Sequence, residues 1–259
     1  MTRVLSGAAL VLVAIGVVWF ANTLVFFAFA LGLTVLATEE LLKLAYASRV
    51  DLPVTACRFA TALVICSSVF AGALEVGLLS AFVAVAAASL GSWRGGPDAL
   101  TTVAVALFPA FYVALPIAAM VGIRAHGGPS ALFLLMLTVM VSDTAQYYSG
   151  RAFGRRPLAP LVSPKKTVEG AIGGFVFGGA VFTIVGAWWL PDTPAPFRAM
   201  LGVTIVALGI AGDLFESMLK RSAGVKDSSA LIPGHGGVLD RIDALLFAAP
   251  VYYIVLMYV

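Results

Sequence analysis

Long apolar runs recur along the whole chain, and short clusters of Gly, Pro and charged residues separate them. A run of about 20 apolar residues has the length of a bilayer-crossing helix, and runs that do not alternate with polar residues argue against transmembrane strands. The pattern predicts an all-α polytopic membrane protein with about nine transmembrane helices in a single domain, residues 1–259. The predicted spans are 4–20, 23–42, 54–72, 75–91, 99–122, 130–149, 169–190, 198–220 and 243–259.

The breaks between the runs contain helix-ending residues, as in His126-Gly127-Gly128-Pro129 between the fifth and sixth spans. Residues 1–20 have the basic start and apolar stretch of a signal peptide. Eight further spans and the lack of a convincing small-residue cleavage site favour a retained first helix. Two longer polar stretches, 150–168 and 221–242, lie late in the chain. We therefore expect residues 1–130 to be mainly scaffold and residues 143–243 to carry the chemistry.

The composition agrees with a membrane protein, since 61% of the residues are hydrophobic and only 11% are charged. A soluble domain has about 25% charged residues, so this chain has too few to cover a water-exposed surface. The apolar content excludes a disordered chain, and two cysteines exclude a disulfide scaffold.

The basic residues predict the orientation of the spans. With the N-terminus inside, 14 of the 16 Lys and Arg residues fall on the cytoplasmic side, and only Arg124 and Arg198 fall outside. This bias predicts a cytoplasmic N-terminus, an outside C-terminus and two cytoplasmic polar loops. The net charge of +3 then faces anionic lipid headgroups and metabolites rather than nucleic acid.

The acidic residues divide into two groups. Glu39 and Glu40 lie near a span end, where we expect them to be solvated. Asp213 lies inside a span, as does Asp143, and an intramembrane acid indicates function. Asp213, Glu216 and Lys220 have the spacing of one helical face. This face is either a charge-neutralised stripe packed against a neighbouring helix or a site that holds a metal and a phosphate.

The loop before the last span is rich in groups that bind polyphosphates. It contains Lys226-Asp227, then His235-Gly236-Gly237, then Asp240-Arg241 and Asp243. Glycines let backbone N–H groups approach an anion closely. Asp240 and Asp243, one helical turn apart, together with Asp213 suit a hard cation such as Mg²⁺. The absence of CxxC and HExxH patterns argues against zinc.

The loop at 150–168 has two interpretations. Its segment Ser163-Pro164-Lys165-Lys166-Thr167 can present hydroxyls, amines and helix N-terminal amides to a phosphate. Alternatively, it is an ordinary cytoplasmic basic loop with a Thr cap and Glu169 in the first helical turn. Gly170, Gly174 and Gly178 favour a close helix-packing face, with dimerisation as the alternative.

These motifs carry a family resemblance. The segment 217–243 resembles the signature of phosphatidate cytidylyltransferases (CDP-diacylglycerol synthases), and the segments at 163–170 and 143–154 are similar to two further motifs of that family. The matching signature residues are Ser217, Leu219-Lys220-Arg221, Lys226-Asp227, Ser229, Ile232-Pro233, His235-Gly236-Gly237, Asp240-Arg241 and Ile242-Asp243. Gln146 and Ala244 depart from the pattern, where a small residue and Ser or Gly are expected.

The resemblance implies a Mg²⁺-dependent reaction in which CTP and phosphatidic acid give CDP-diacylglycerol and pyrophosphate. Whether a second cation joins the Mg²⁺ is left open. It implies that Asp213 and Asp240 hold the metal, with Asp143 and Asp243 as second candidates. The expected catalytic residues are Asp213, Lys220, Arg221, Lys226, His235, Asp240 and Arg241. The expected substrate-binding residues are Ser163, Lys165, Lys166, Thr167, Gly236, Gly237 and Tyr147.

The expected partners are CTP, phosphatidic acid and membrane lipid, not nucleic acid, and a homodimer is left open. The expected location is a bacterial plasma membrane with the active site facing the cytoplasm. We expect a cavity at the cytoplasmic leaflet that is open to lipid and roofed by the loops at 150–168 and 221–242. A CTP-dependent lipid-alcohol kinase is the nearer alternative. A transporter is the more distant one, because no inverted repeat is visible and the polar groups cluster on one side.

Overall fold

The computed structural model describes residues 2–47, 52–70, 73–95, 97–232, 234 and 236–258, excepting the side chains of residues 2–6 and 70. Of the described residues 82% are helical, which confirms the predicted all-α membrane class. The helices are α1 Thr2–Phe20, α2 Thr23–Ala47, α3 Val54–Phe70, α4 Leu74–Ser92, α5 Ala99–Pro109, α6 Leu115–Phe153, α7 Val168–Trp189, α8 Ala195–Ser222 and α9 Leu239–Tyr258. A π-helical turn, Ala110–Ala114, joins α5 to α6.

In the described part of the chain, six helical stretches are long and apolar enough to cross a membrane. They are Thr23–Ala47, Leu74–Ser92, Ala99–Phe153, Val168–Trp189, Ala195–Ser222 and Leu239–Tyr258. Two shorter apolar helices, Gly7–Phe20 and Val54–Val69, lie at other predicted spans. The stretch Ala99–Phe153 covers two predicted spans, because the helix continues through the expected break between them.

That break is nevertheless present in the backbone. Gly128 has φ 75° and ψ 178°, which is not a helical conformation, and Pro129 follows it. Glycine adopts a positive φ without steric cost, and proline lacks the N–H that a continuous helix would use. The sequence therefore predicted the position of the irregularity correctly, although the helical hydrogen bonding resumes at once.

The chain divides into two compact units. The first comprises Met1–Gly122 and Ser222–Arg241, and the second comprises Ile123–Arg221 and Ile242–Val259. The core of the first unit is built from small and branched apolar residues of α2 to α5 and the π-helical turn. Its buried members are Leu42, Leu52, Cys57, Ala60, Val64, Ala81, Val85, Ala106, Ala110 and Ala114. In a bilayer, water does not drive helices together, so close van der Waals packing has to. Small side chains make this close packing possible.

The second unit contains the polar segment that follows α6. Ala171, Val206 and Ile210 form a small buried apolar cluster there. Between α6 and α7 the chain forms an antiparallel hairpin of β1 Pro157–Ala159 and β2 Ser163–Thr167. The sequence predicts a loop at this position, so the hairpin is a correction. Strands of three and five residues are too short to show an alternating pattern of apolar and polar residues.

Candidate active site

An ion pair joins the hairpin to α8 in the second unit. The ammonium group of Lys166 donates to Oδ2 of Asp213, and the Ser217 hydroxyl lies 3.4 Å from Oδ1 of the same carboxylate. The Lys166 and Asp213 side chains are 21% and 29% exposed, so the pair is partly buried but reachable. Two residues from separate predicted motifs, 47 positions apart, are therefore brought together.

Further charges surround this pair in the same unit. Asp243 of α9 interacts electrostatically with Asp213, Asp143 and Lys220. Gly212 allows the close approach of α8 to α9, since a Cβ there would lie 2.5 Å from the Asp243 carbonyl oxygen. Three carboxylates and two lysines from the predicted site are thus neighbours in space. We name Asp143, Lys166, Asp213, Lys220 and Asp243 the charged cluster.

The charges on the predicted face of α8 have separate partners. Nζ of Lys220 donates to Oε2 of Glu216 over 2.5 Å. The Lys220 side chain is 10% exposed and the Glu216 side chain is fully buried. Asp213 pairs with Lys166 instead. One end of this face is therefore a neutralised buried pair, as the first interpretation expected, whereas metal and phosphate binding at the accessible end stay predictions.

The hairpin ends at the start of α7. The Thr167 hydroxyl accepts a hydrogen bond from the Gly170 N–H over 3.1 Å, which caps the helix. Glu169 accepts from the backbone N–H groups of Arg155 and Arg156. The cap interpretation of this segment is confirmed for Thr167. Lys165 is exposed and Ser163 is half-buried, and their predicted substrate contacts stay predictions.

The glycines of the 143–154 motif make room for Thr167. A Cβ at Gly150 would lie 2.9 Å from the Thr167 hydroxyl, and one at Gly154 would lie 2.8 Å from its methyl group. Tyr147 of the same motif is exposed and packs edge-on against Tyr148, with ring centroids 5.2 Å apart. The structure therefore gives the glycines a packing role and leaves Tyr147 accessible.

The regularly spaced glycines of α7 form a packing face within the unit. A Cβ at Gly174 would lie 2.7 Å from the Gln146 side chain, and one at Gly178 would lie 2.9 Å from Cβ of Ser142. A Cβ at Gly170 would lie 2.8 Å from the Gln146 carbonyl oxygen. The packing interpretation is confirmed, because these glycines pack against α6 of the same chain, and Gly178 also packs against Val206 of α8, which a Cβ would approach to 2.7 Å. Gln146, a departure from the family pattern, thereby packs against α7.

The loop before α9 belongs to the first unit. We name residues 226–241 the signature loop. Its charged residues Lys226, Asp227 and Arg241 are exposed, as is the predicted catalytic Arg221 at the end of α8 in the second unit. The predicted His235 lies outside the described residues, as does Pro233.

Asp240 organises the signature loop. Its Oδ2 accepts hydrogen bonds from the N–H groups of Ser228 and Gly237, over 3.0 and 2.7 Å, and lies 2.9 Å from the Ser228 hydroxyl. Gly236 has φ 79°, and a Cβ there would lie 2.5 Å from the same oxygen. The Gly237 N–H that was predicted to face phosphate thus has an internal acceptor. Metal binding by Asp240 and phosphate binding by Gly236 stay predictions.

The largest correction concerns Glu40. Its position near a span end predicts a solvated side chain, but Glu40 is only 3% exposed and its carboxylate accepts hydrogen bonds from the signature loop. Its neighbour Glu39 pairs with Arg58 over 2.5 Å and is partly exposed. One signal was available, since Glu40 lies three residues after Ala37 and four before Leu44, both on the buried face of α2.

No group of three or more His, Cys, Asp and Glu side chains that could hold a metal ion is found among the residues that the structure describes. A magnesium site does not require one, because Mg²⁺ is usually held by one or two carboxylates and completes its shell with water and substrate phosphates.

Comparison with known proteins gives a consistent result. A model of the "Cytidylyltransferase family" matches residues 1–259. Three similar relatives are each called "Phosphatidate cytidylyltransferase". The Haemophilus influenzae protein is 47% identical over 135 residues, covering 49% of this chain and 46% of the relative. The Pseudomonas aeruginosa protein is 46% identical over 122 residues, covering 47% and 45%. The Thermotoga maritima protein is 45% identical over 138 residues, covering 51% and 50%.

The matched part of this chain thus corresponds to about half the length of these curated relatives. The match to the family model, by contrast, extends over the whole chain. The chain belongs to the cytidylyltransferase family.

Proposed function

We propose that this protein transfers the cytidylyl group of CTP to phosphatidic acid and releases pyrophosphate. The observation that carries the proposal is the charged cluster, in which the Lys166–Asp213 pair lies among further carboxylates and Lys220. The names of the similar relatives support the same reaction. A cluster of mixed charge suits a reaction between two polyanions, because lysines attract phosphates and carboxylates attract the accompanying cations.

The proposed step needs no strong base. A phosphate oxygen of the lipid attacks the α-phosphorus of CTP, the bond from that phosphorus to the bridging oxygen breaks, and pyrophosphate leaves with the electron pair. A phosphate monoester is already ionised near neutral pH, so no proton has to be removed from the nucleophile. The task of the protein is to position the two substrates and to neutralise charge on the departing pyrophosphate.

The residues present fit Mg²⁺. Asp213 offers hard carboxylate oxygens, is 29% exposed, and is balanced by the Lys166 ammonium group, so its surroundings already accommodate a positive charge. When bound, Mg²⁺ would neutralise phosphate oxygens and act as a Lewis acid. We propose Asp213 as its principal ligand, with Asp143 and Asp243 as further candidates, and Lys166 and Lys220 as phosphate-binding residues. Asp240 is proposed as a ligand on the signature motif alone.

Isotope position distinguishes this reaction from that of a CTP-dependent lipid kinase. We expect purified protein with Mg²⁺ and phosphatidic acid to label the lipid from CTP carrying the isotope in its α-phosphate, and to release labelled pyrophosphate from CTP carrying it in the γ-phosphate. In a parallel reaction supplied with diacylglycerol, a CTP-dependent kinase would instead transfer the γ-phosphate of CTP to the lipid hydroxyl, giving labelled phosphatidic acid and CDP. Labelling of lipid from the γ-position only, or no labelling with either, would contradict the proposed reaction.

We further infer nine membrane crossings in a bacterial plasma membrane, with the N-terminus and the charged cluster on the cytoplasmic side. Supporting this count are the two shorter apolar helices and the irregular backbone at Gly128, which divides the stretch Ala99–Phe153. The positive-inside bias supports the orientation.

Cysteine labelling tests this topology. In a Cys57→Ala/Cys66→Ala background, we expect Asp192→Cys to react with a membrane-impermeant maleimide in intact spheroplasts. Lys226→Cys should react only after the membrane is opened. Both residues are exposed, so accessibility to the reagent depends on the side of the membrane. Equal labelling of Lys226→Cys before and after opening would contradict a cytoplasmic signature loop.

A further inference from the structure

Glu40 holds the signature loop from the first unit's helix α2. Its Oε1 accepts hydrogen bonds from the Ser229 hydroxyl over 2.7 Å and the Val238 N–H over 3.0 Å. Its Oε2 accepts from the Ser228 hydroxyl and the Leu239 N–H, each over 2.8 Å. A buried carboxylate is costly without partners, and here four donors from a segment nearly 200 residues away satisfy it.

Two of these donors define where α9 begins. The first N–H groups of a helix have no partner within the helix, and α9 starts at Leu239. A carboxylate at this end satisfies them and is also favoured by the helix dipole. Glu40 thus stabilises the first turn of α9, which carries the predicted site residues Asp240 and Arg241.

A second carboxylate, from Asp240 within the loop, shares a partner with Glu40. The hydroxyl of Ser228 lies 2.8 Å from Oε2 of Glu40 and 2.9 Å from Oδ2 of Asp240. Gly237 packs beside both groups, and a Cβ there would collide with the Ser228 hydroxyl and with the Glu40 carboxylate. The backbone at Gly237 is therefore fitted closely against Glu40, and a neutral side chain would not satisfy the same four donors.

We propose that Glu40 is a positioning residue for the signature loop. It acts through Ser228, Ser229 and the start of α9, and so fixes the exposed Lys226 and Arg241 for contact with phosphate groups. The role of those two cations rests on the proposed function, but the placement of the loop by Glu40 does not. In this view α2 is more than scaffold, because it supports the signature loop through one carboxylate.

Hydrogen exchange of the loop amides tests the placement without requiring activity. Glu40→Gln keeps the shape of the side chain but turns one acceptor into a donor that faces other donors. We expect amide exchange in a peptide covering residues 228–241 to accelerate about tenfold or more, as the loss of a hydrogen bond to a charged group would give. The matched control is Glu39→Gln, which breaks the neighbouring contact to Arg58 and should leave exchange in this peptide unchanged.

Ser229→Ala keeps the inference testable if Glu40→Gln does not fold. It removes only one donor to Glu40 and should accelerate exchange in the same peptide by a smaller factor. In a foldable Glu40→Gln protein, adding Ser229→Ala should have little further effect. Wild-type exchange in Glu40→Gln, or in Ser229→Ala where the first variant does not fold, would overturn the placement of the loop by Glu40.

Kinetics then test whether placement matters for the reaction. For Glu40→Gln protein that folds, we expect KM for CTP to rise several-fold, and Glu40→Asp, which keeps the charge, to recover part of the loss. Wild-type kinetic constants despite faster exchange would overturn the positioning role. A wild-type protein with no cytidylyl transfer would contradict the proposed function, while the exchange experiment would still decide the role of Glu40 in the loop.

Discussion

Asp213→Asn is expected to reduce cytidylyl transfer by about a hundredfold or more, the loss seen when one preorganised electrostatic group is removed from an active site. The substitution keeps the size of the side chain and leaves an oxygen near the Ser217 hydroxyl. It removes the negative charge that balances Lys166 and that would attract a divalent cation. Steady-state rates with CTP, phosphatidic acid and Mg²⁺ measure the effect.

The control for Asp213→Asn is Asp192→Asn, an exposed aspartate in the connection between α7 and α8. This variant should retain wild-type turnover. The double variant Lys166→Met/Asp213→Asn should be little worse than Asp213→Asn alone, because two residues that act as one unit lose their effect together. Substantial turnover in well-folded Asp213→Asn protein would remove Asp213 from the proposed site.

Sequence spacing predicted the local features of the site well. The i, i+4 relation of Glu216 to Lys220 follows from helical geometry, and the structure confirms that these two residues form a pair. The break at Gly128 was equally predictable, because a Gly-Pro pair disturbs a helix whatever its surroundings. Such features depend only on neighbours within about one helical turn.

Contacts between segments far apart in the sequence could not be predicted from the spacing of residues. The pairing of Lys166 with Asp213 depends on a short hairpin, and the burial of Glu40 depends on donors in a loop nearly 200 residues away. A carboxylate at the end of an apolar run is usually solvated, so the composition of α2 favoured the wrong interpretation. The helical position of Glu40, on the same face as the buried Ala37 and Leu44, was the better indicator of burial. A helical face is buried by what packs against it, whereas distance from the end of the apolar run indicates only how near the residue lies to water.

Variants of the buried Glu216–Lys220 pair should distinguish its contribution to the stability of the protein from its contribution to the reaction. Lys220→Met leaves a fully buried carboxylate without its 2.5 Å ion-pair partner, and removing one member of a buried pair costs about 3–5 kcal/mol of unfolding free energy. Glu216→Gln leaves the Lys220 ammonium group in the same poorly solvated position and should destabilise the protein in the same direction. Apparent unfolding temperatures in one detergent, compared across the single variants, measure both losses.

The double variant Glu216→Gln/Lys220→Met should recover most of the lost stability, because a buried ion pair replaced by neutral side chains of similar volume often has little net cost. Turnover should not recover, since the proposed reaction needs the Lys220 charge beside the phosphates. A double variant that regains both stability and turnover would show that the pair is purely structural. If the double variant is as unstable as Lys220→Met alone, the loss of stability does not come from an unpaired buried charge. Glu216 would then stabilise the protein in some way other than by pairing with Lys220.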